Sequence, residues 1–334
     1  MSSTIRASIV CFDQALATSI IGISDLLAYC GVTWNYIHRQ SRQPGFDVNL
    51  VSRTGSQVEC VNGVCLKTHT RFEDVLSSDI VIVPTIGGNI DKTLRDNPAV
   101  ISFLQRLNTQ DTIIASNCTG AFFLAEAGLL TGIEATTHWG FVDIFRERYP
   151  DVELKPEKML THSGNILCSA GGHACFDMGL YLIERFHGHD TAIQSSKSFV
   201  LDMARTSQLS YAPIELNRQH DDDLVHRAQQ YLDEAYQESV SLEQLAQRLN
   251  TSVRTLIRHF KTATGDTPLN YLQTLRLEHA KKLLESTRLG VSDITHAVGY
   301  DDISSFSRLF KRKTGLTPGH YRERYAPGSR STQW

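Results

Sequence analysis

Along the first half of the chain two hydrophobic rhythms alternate. Short apolar runs at 7–12, 47–52, 80–84, 112–117 and 166–169 have the length of buried strands. Between them, amphipathic stretches at 19–30, 98–107, 121–127, 138–149 and 176–186 read as helices. This alternation predicts a flavodoxin-like α/β unit over 1–187, with a mainly parallel sheet covered by helices on both faces. Such sheets bind ligands at the carboxyl ends of their strands. Residues 188–222 read as a linker, with a helix over 198–205 and then a loop where Pro213 stands near a charge run. From 223 to 326 the apolar positions keep a helical period, which predicts an all-α unit opening with a helix over 223–235. Residues 327–334 read as a tail.

The all-α unit states one pattern twice. RHFKTATGDTPLNY, ending at Tyr271, returns as RLFKRKTGLTPGHY, ending at Tyr321. Phe260 and Phe310, Gly265 and Gly315, and Pro268 and Pro318 stand 50 positions apart. LAQRLN at 245–250 echoes ITHAVG at 294–299 with an offset of 49, so one residue is inserted between Gly299 and Phe306. A repeat of this length is a supersecondary unit used twice. In the first copy Ser241 and Gln244 form a capping box, and Leu242, Leu245, Ala246 and Leu249 make the inward face. Asn250 suits a left-handed turn, and Ser252 caps a second helix with Leu256 and Phe260 inward. In the second copy Asp293 is the expected cap, with Ile294, Ala297 and Val298 inward. Gly299 makes the turn, and a helix over 302–313 points Phe306 and Phe310 inward. Between the copies Pro268 starts a long helix to about Ser286, roughly 27 Å at 1.5 Å per residue. Each copy is a helix-turn-helix, whose second helix enters the DNA major groove. Two readers at that separation suit successive grooves about 34 Å apart.

Charge sharpens the division. Between 241 and 325 there are 14 Lys and Arg against 8 Asp and Glu, while the rest of the chain has 19 against 28. A basic block on an acidic body is the footprint of a polyanion-binding module joined to something else. The seven cysteines, at 11, 30, 60, 65, 118, 168 and 175, form no CxxC pair. That points to reduced thiols and a cytoplasmic setting, with no disulfide frame, metal site or cofactor expected. Cys60 and Cys65 flank an Asn-Gly turn and are assigned no role. The first residues lack a signal peptide's apolar core, and there is no apolar run of about 18 residues, so no membrane association is expected.

In the α/β unit one stretch carries chemistry. The strand at 112–117 ends at Asn117, and Cys118, Thr119 and Gly120 lead into a helix, a strand–turn–helix elbow. A thiol at a helix N-terminus is expected to have a lowered pKa. His138 follows twenty residues later, and Gly87 and Gly88 offer free backbone amides near the same edge. For Cys118 three readings stand: lining an effector pocket, catalysis with His138, or inert packing. Trp139 either stacks on a cationic ligand or belongs to the core. His173 is a pocket residue or a plain loop residue, and Asp177 a ligand contact or a helix N-terminal charge.

The C-terminal hundred residues, including G-Y-x(5)-F-S-R-x-F-K-R-x-x-G-x-T-P-x-x-Y-R from Gly299 to Arg322, closely resemble the AraC/XylS transcription regulators. The Cys118 elbow, LAEAGLLTG at 124–132, ATTHW at 135–139 and SAGG…D at 169–177 resemble the class I glutamine-amidotransferase-like, intracellular-protease-like superfamily. The resemblance implies a sequence-specific regulator acting on promoter DNA, with RNA polymerase as partner and a homodimer as working form. It also implies a small effector, amino-acid-like or a quaternary amine, bound around Cys118, Thr119, His138, Trp139, Gly87, Gly88 and His173. Base contacts are expected from Arg254, Thr255, Arg258, Ser304, Ser305 and Arg308, although Arg258 and Arg308 equally suit phosphate or a bracing role. Backbone contacts are expected from Lys261, Lys311, Arg312 and Lys313. Enzymatic relatives carry an acid just after the first strand. That place falls near Ser19 here, with Thr18 before it, which implies a sensor without catalysis. The alternative is a cysteine-dependent hydrolase or hydratase fused to a DNA-binding module.

Overall fold

In the computed structural model, which describes residues 4–326 apart from 110, 204 and 215, the chain divides between Gln208 and Leu209. The strands of the first unit are β1 (Ile5–Val10), β2 (Phe46–Ser52), a ribbon of β3 (Gln57–Glu59) and β4 (Cys65–Lys67), then β5 (Thr70–Arg71), β6 (Ile80–Val83) and β7 (Ile113–Asn117). A short pair, β8 (Glu134–Ala135) and β9 (Glu153–Leu154), precedes β10 (Leu160–Ser163) and β11 (Ile166–Ser169). The main sheet runs β10-β11-β7-β6-β1-β2-β5, parallel except for the antiparallel edge pair β10–β11. Every residue of β6 and β7 is buried, as the continuous apolar runs require of strands covered on both faces. Ile80 sits between Ala7 and Ile113 in register, so the three central strands end nearly level.

The covering helices are α1 (Ala17–Ala28), α2 (Thr33–Ile37), α3 (Ile90–Asp96), α4 (Pro98–Leu107), α5 (Ala121–Glu126), α6 (Val142–Arg148), α7 (Ala174–His187) and α8 (His189–Phe199). The predicted strands all form. The ribbons, β5, β10, α2 and α3 were not expected, being too short for a periodic signal. Residues 138–149 form a 3₁₀ turn, Trp139–Phe141, followed by the shorter α6.

The expected linker is corrected in its first part. Residues 189–199 form α8, whose Ala192 is fully buried in the α/β core. The helix expected over 198–205 does not form among the described residues after Phe199: α8 stops there, and Val200 turns the chain at φ +54. Phe199, Leu201 and Met203 each pack against the α/β core, so their apolar spacing reflects a strap and not a helix face. The strap is tied by Met159 N–H donating to the Thr206 carbonyl (3.1 Å), and it ends in Gln208, 2% exposed.

The second unit holds α9 (Asp223–Ala235), α10 (Leu242–Arg248), α11 (Val253–Thr264), α12 (Pro268–Ser286), α13 (Val291–Ala297), α14 (Ile303–Thr314) and α15 (Pro318–Tyr325). Helix α12 serves two cores. Tyr271, Leu272 and Leu275 join Leu256 and Phe260 in the first, while Leu277, Ala280 and Leu284 join Phe306 and Phe310 in the second. The 50-residue repeat thus becomes two small helical cores strung on one shaft. One cap is corrected: Gly290 is the N-cap of α13, and Asp293 lies three residues inside, accepting the Gly290 N–H at 3.1 Å. Glycine has no side chain to reciprocate, so only half of a capping box exists.

Candidate functional site

The two repeats build the same device from the same local rules. Ser241 Oγ accepts the Gln244 N–H and Gln244 Oε1 accepts the Ser241 N–H, both at 3.1 Å, so the expected capping box starts α10. Asn250 turns the chain at φ +52, and Ser252 caps α11 by accepting the Thr255 N–H. In the second copy Gly299 turns at φ +82, and Asp302 caps α14 by accepting the Ser305 N–H at 2.7 Å. Leu256, Phe260, Phe306 and Phe310 are fully buried, which fixes the opposite faces of α11 and α14 outward. On those faces Arg254, Arg258, Lys261, Ser304, Ser305, Arg308, Lys311, Arg312 and Lys313 are exposed.

Two candidates are less free than the sequence suggested. Thr255 is half-buried, and its hydroxyl accepts from Ser252 Oγ at 2.9 Å. Arg308 Nη2 donates to Ser305 Oγ at 3.1 Å, so these two present themselves as a pair. The sequence reading also missed two braces. His259, on α11, donates from Nδ1 to Asp222 Oδ2 at 2.7 Å, and Asp222 is itself the N-cap of α9. Arg276, at the middle of α12, donates to the carbonyls of Tyr236 and Glu238 (2.7 Å each) and lies over the Tyr300 ring at 5.2 Å. It therefore ties the segment that follows α9, ahead of the first copy, to Tyr300 beside the turn of the second copy.

In the α/β unit the parallel strands put four loops along one edge: 11–14 after β1, 84–88 after β6, 118–120 after β7 and 170–173 after β11. Cys118 sits there at φ +57, uncommon for a residue with a Cβ and a place where strain of about 1–3 kcal/mol is held. The elbow is pinned behind it, because a Cβ on Gly120 would lie 2.6 Å from the Pro84 carbonyl. Asn117 Nδ2 donates to Thr85 Oγ1 (2.9 Å) and to the Gly172 carbonyl (3.1 Å), and Ser169 Oγ donates to Asn117 Oδ1 (2.8 Å). One buried amide thus stitches three of the loops together.

The thiol of Cys118 is 4% exposed. Burial pushes its pKa up, outweighing the Gly172 and Thr119 amides and the Thr85 and Thr119 hydroxyls that favour the anion. The expected lowering is therefore corrected. The elbow helix α5 has six residues behind a 3₁₀ turn, Cys118–Gly120, so its dipole offers little against desolvation.

His138 lies against the Gly171 backbone, where an added Cβ would meet its Cδ2 at 1.9 Å. Its Nδ1 accepts the Gly140 N–H at 3.0 Å, which leaves the ring proton of the neutral form on Nε2. Burial lowers its pKa, so that neutral form is favoured. Among the described residues no hydrogen bond joins His138 to Cys118; the ring's Nδ1 is taken by the Gly140 N–H. Ser19 is 1% exposed, donates to the Leu16 carbonyl (2.8 Å) and accepts the Thr85 N–H (3.1 Å). The place expected for an acid therefore holds a hydroxyl committed to the backbone beneath Thr85.

The other candidates resolve individually. The amides of Gly87 and Gly88 are not free: both donate to the Gln14 carbonyl, at 2.8 and 3.2 Å. Trp139 is half-buried, and its backbone N–H donates to Gln208 Oε1 at 3.1 Å. Gln208 Nε2 also donates to the Thr137 carbonyl (2.7 Å), and Thr137 Oγ1 to the Cys118 carbonyl (2.8 Å). His173 is exposed and stacks on Phe176. Asp177 forms an ion pair with Arg205 of the strap, although burial, the larger influence, raises its pKa. Cys60 is buried while Cys65 is exposed and pairs in register with Glu59.

Residues 245–324 match the family described as helix-turn-helix domain, and residues 30–185 match the DJ-1/PfpI family. Over 277 residues the chain is 30% identical to the HTH-type transcriptional regulator CdhR of Pseudomonas aeruginosa, spanning 82% of this chain and 81% of that one. The HTH-type transcriptional regulator GbdR of the same species is 27% identical over 276 residues, spanning 82% of this chain and 74% of its own. Drosophila melanogaster DJ-1beta shares the fold of the first unit, with a TM-score of 0.50 at 18% identity over 60% of this chain and all of that one.

Proposed function

Because this chain belongs to the helix-turn-helix transcriptional regulators that join a DJ-1/PfpI domain to an AraC-type module, we propose that it reads a specific operator and answers to a small metabolite. The observation that carries the DNA-binding half is the pair of cores on α12, each turning one polar, cation-bearing helix face outward. Arg254 and Arg258 on α11, and Ser304 with the Ser305–Arg308 pair on α14, are the proposed base readers. Lys261, Lys311, Arg312 and Lys313 hold phosphates. The metabolite acts at the carboxyl edge of the sheet, around Cys118, Thr119, His138, Trp139 and His173, with Gly87 and Gly88 shaping the loop. The regulator works as a homodimer in the cytoplasm, engages RNA polymerase at its promoter, and has no catalytic role.

The test begins with selection of bound duplexes from a random pool by the full chain. Arg254→Ala should weaken the selected site by about 1–3 kcal/mol and relax preference at one base. Lys311→Ala should weaken all duplexes alike and reduce the salt slope by about 0.9. Sedimentation of the same complexes reads the stoichiometry; one chain per operator argues against the dimer. If both variants bind like the parent, the assignment of α11 and α14 as readers is wrong.

A second reading, a cysteine-dependent hydrolase or hydratase, draws support from the strained Cys118 elbow and from the Gly172 and Thr119 amides, which favour its anion. Against it stand the burial of the thiol, the committed Ser19 and the separate bonding of His138. Turnover of amides or isonitriles by the protein, lost on Cys118→Ser, is the result that favours this reading.

A further inference from the structure

The two small cores of the DNA-binding unit share α12 as a shaft. Tyr271, Leu272 and Leu275 belong to the first core, and Leu277, Ala280 and Leu284 to the second. Leu275 and Leu277 stand two positions apart, a spacing that puts side chains on different faces of a helix. The shaft thus sets the distance between the cores, at about 1.5 Å per residue. Three side chains per core leave the angle between them to other contacts, and the structure holds that angle with two braces.

The first brace is the segment 236–238, which follows α9. Among the described residues, Tyr236 is the one hydrophobic side chain packed against both cores. Its ring stacks on His279 of α12, with centroids 3.9 Å apart and planes within 7°. Arg276 Nε and Nη2 hold the Tyr236 and Glu238 carbonyls at 2.7 Å each, while the guanidinium lies over the Tyr300 ring of the second copy. Gly299 completes the joint. Lacking a Cβ, it lets the second copy's turn close on the Tyr236 and Gln237 carbonyls, which an added Cβ would meet at 2.9 and 2.8 Å.

The second brace comes from the rest of the expected linker. Ile214 packs against the second core and Leu216 against the first. The Ile214 N–H donates to Glu278 Oε1 at 2.8 Å, and Lys281, 6% exposed, donates to the same oxygen at 2.8 Å and to the Ala212 carbonyl at 3.2 Å. A few residues on, Arg218 donates to both carboxylate oxygens of Asp233 on α9, at 2.7 and 2.8 Å. This stretch and the segment 236–238 both lie outside 245–324, the part that carries the helix-turn-helix match.

We propose that these braces fix the phase between the two reading helices, so that the protein selects operators by the spacing of their two half-sites as well as by their bases, with Arg276 as the positioning residue. One inserted base pair moves the second half-site about 3.4 Å along the duplex and turns it by about 34°. A hinged pair of readers follows that displacement, whereas a braced pair keeps one reader out of its groove. The fork of Arg276 suits this role, since its planar donors reach two carbonyls at once and its face lies on a ring. The proposal rests on the reading of α11 and α14 as the base-contacting helices.

The experiment uses the full chain and the duplex it selects from a random pool. Arg254→Ala and Arg308→Ala assign the two half-sites by the bases at which preference relaxes. Duplexes with one base pair inserted or deleted between the half-sites are then compared with the selected one. The parent should lose at least tenfold in affinity on either change. Arg276→Gln and Tyr236→Ala should lose less than threefold, each relative to its own affinity for the selected duplex, with base preferences inside each half-site unchanged. That ratio cancels any general loss of folded protein. Tyr321→Phe is the control: it removes the 2.7 Å bond to Glu285 beside the second core and should keep the parent's tenfold ratio. A parent that tolerates both spacings overturns the proposal, and so does a tenfold ratio retained by Arg276→Gln and Tyr236→Ala. Relaxation by Tyr321→Phe equal to that by Arg276→Gln overturns the role of Arg276. If Arg254→Ala and Arg308→Ala relax no base, the reading of α11 and α14 fails, and the spacing proposal falls with it.

Discussion

Three glycines in the DNA-binding unit share a backbone conformation, and Gly265 and Gly299 differ in their surroundings, which makes a controlled comparison of strain with packing. Gly265, Gly299 and Gly315 stand at φ +78, +82 and +77. A Cβ at Gly265 would meet nothing within 4 Å. At Gly299 it would lie 2.8 Å from the Gln237 carbonyl, 2.9 Å from Arg276 Nη2 and 2.9 Å from the Tyr236 carbonyl. Alanine at 265 should therefore cost only the left-handed conformation, about 1–2 kcal/mol. Alanine at 299 adds overpacking of about 1–3 kcal/mol against the Gln237 carbonyl and the Tyr236 carbonyl that Arg276 holds, for a total of about 2–5 kcal/mol. Gly299→Asn is the sharper variant. Asn250 occupies the equivalent place in the first copy at φ +52, so asparagine tolerates the conformation but still brings the Cβ. The assay is hydrogen exchange of α12 peptides in the full chain, which reads the opening free energy of this unit without interference from the other. At about 1.4 kcal/mol per tenfold, Gly299→Ala should speed exchange by about 30-fold to several thousand-fold, against about 5- to 30-fold at Gly265. Equal effects at 265 and 299 would refute the packing argument, and with it the brace that Arg276 provides between the two copies.

Burial holds the Cys118 thiol above its ordinary pKa, so it should stay protonated and unreactive at pH 8 while exposed Cys65 is alkylated. Mass spectrometry after iodoacetamide treatment checks this, and labelling of Cys118 as fast as Cys65 contradicts it. Burial raises the Asp222 carboxyl, but the His259 ring and the Val225 and Leu224 amides outweigh it, leaving its pKa below the ordinary 3.8. A depressed carboxylate contributes stability that is complete above the unfolded value and is lost as pH falls through the folded one. Asp222→Ala should therefore cost about 1 kcal/mol near neutrality, chiefly as a lost cap, and the gap from the parent should close below about pH 4. Urea midpoints by circular dichroism at pH 7 and pH 3 measure it; a gap independent of pH counts against the ionised bridge.

The DNA-binding unit was legible in the chain because its signals are local. Caps and turn residues act within a few positions of each other, the 50-residue offset shows the same local pattern twice, and Phe260, Phe306 and Phe310 are inward by helical period alone. The central strands were legible for the same reason, as continuous apolar runs bounded by loops. Short elements such as the β3–β4 ribbon, α2 and α3 carry too few residues to show a period. Helix α8 was lost inside an expected linker because its burial is a tertiary fact, Ala192 packing into the α/β core.

The site divides along the same line. Cys118, Thr119 and His138 could be picked from motifs, and the structure puts Cys118 at a strained turn on the expected edge of the sheet. Its pKa could not be read, since the helix-end argument is local while desolvation depends on everything packed around the thiol. The Gly87 and Gly88 amides looked free because their acceptor, the Gln14 carbonyl, lies more than seventy positions away. The partners of Asp177, His259 and Arg276 are distant in sequence too. Local hydrogen bonding and periodicity determine which helices and strands form. Which polar groups are left unpaired, and therefore able to meet a ligand, is decided only when remote segments fold against one another.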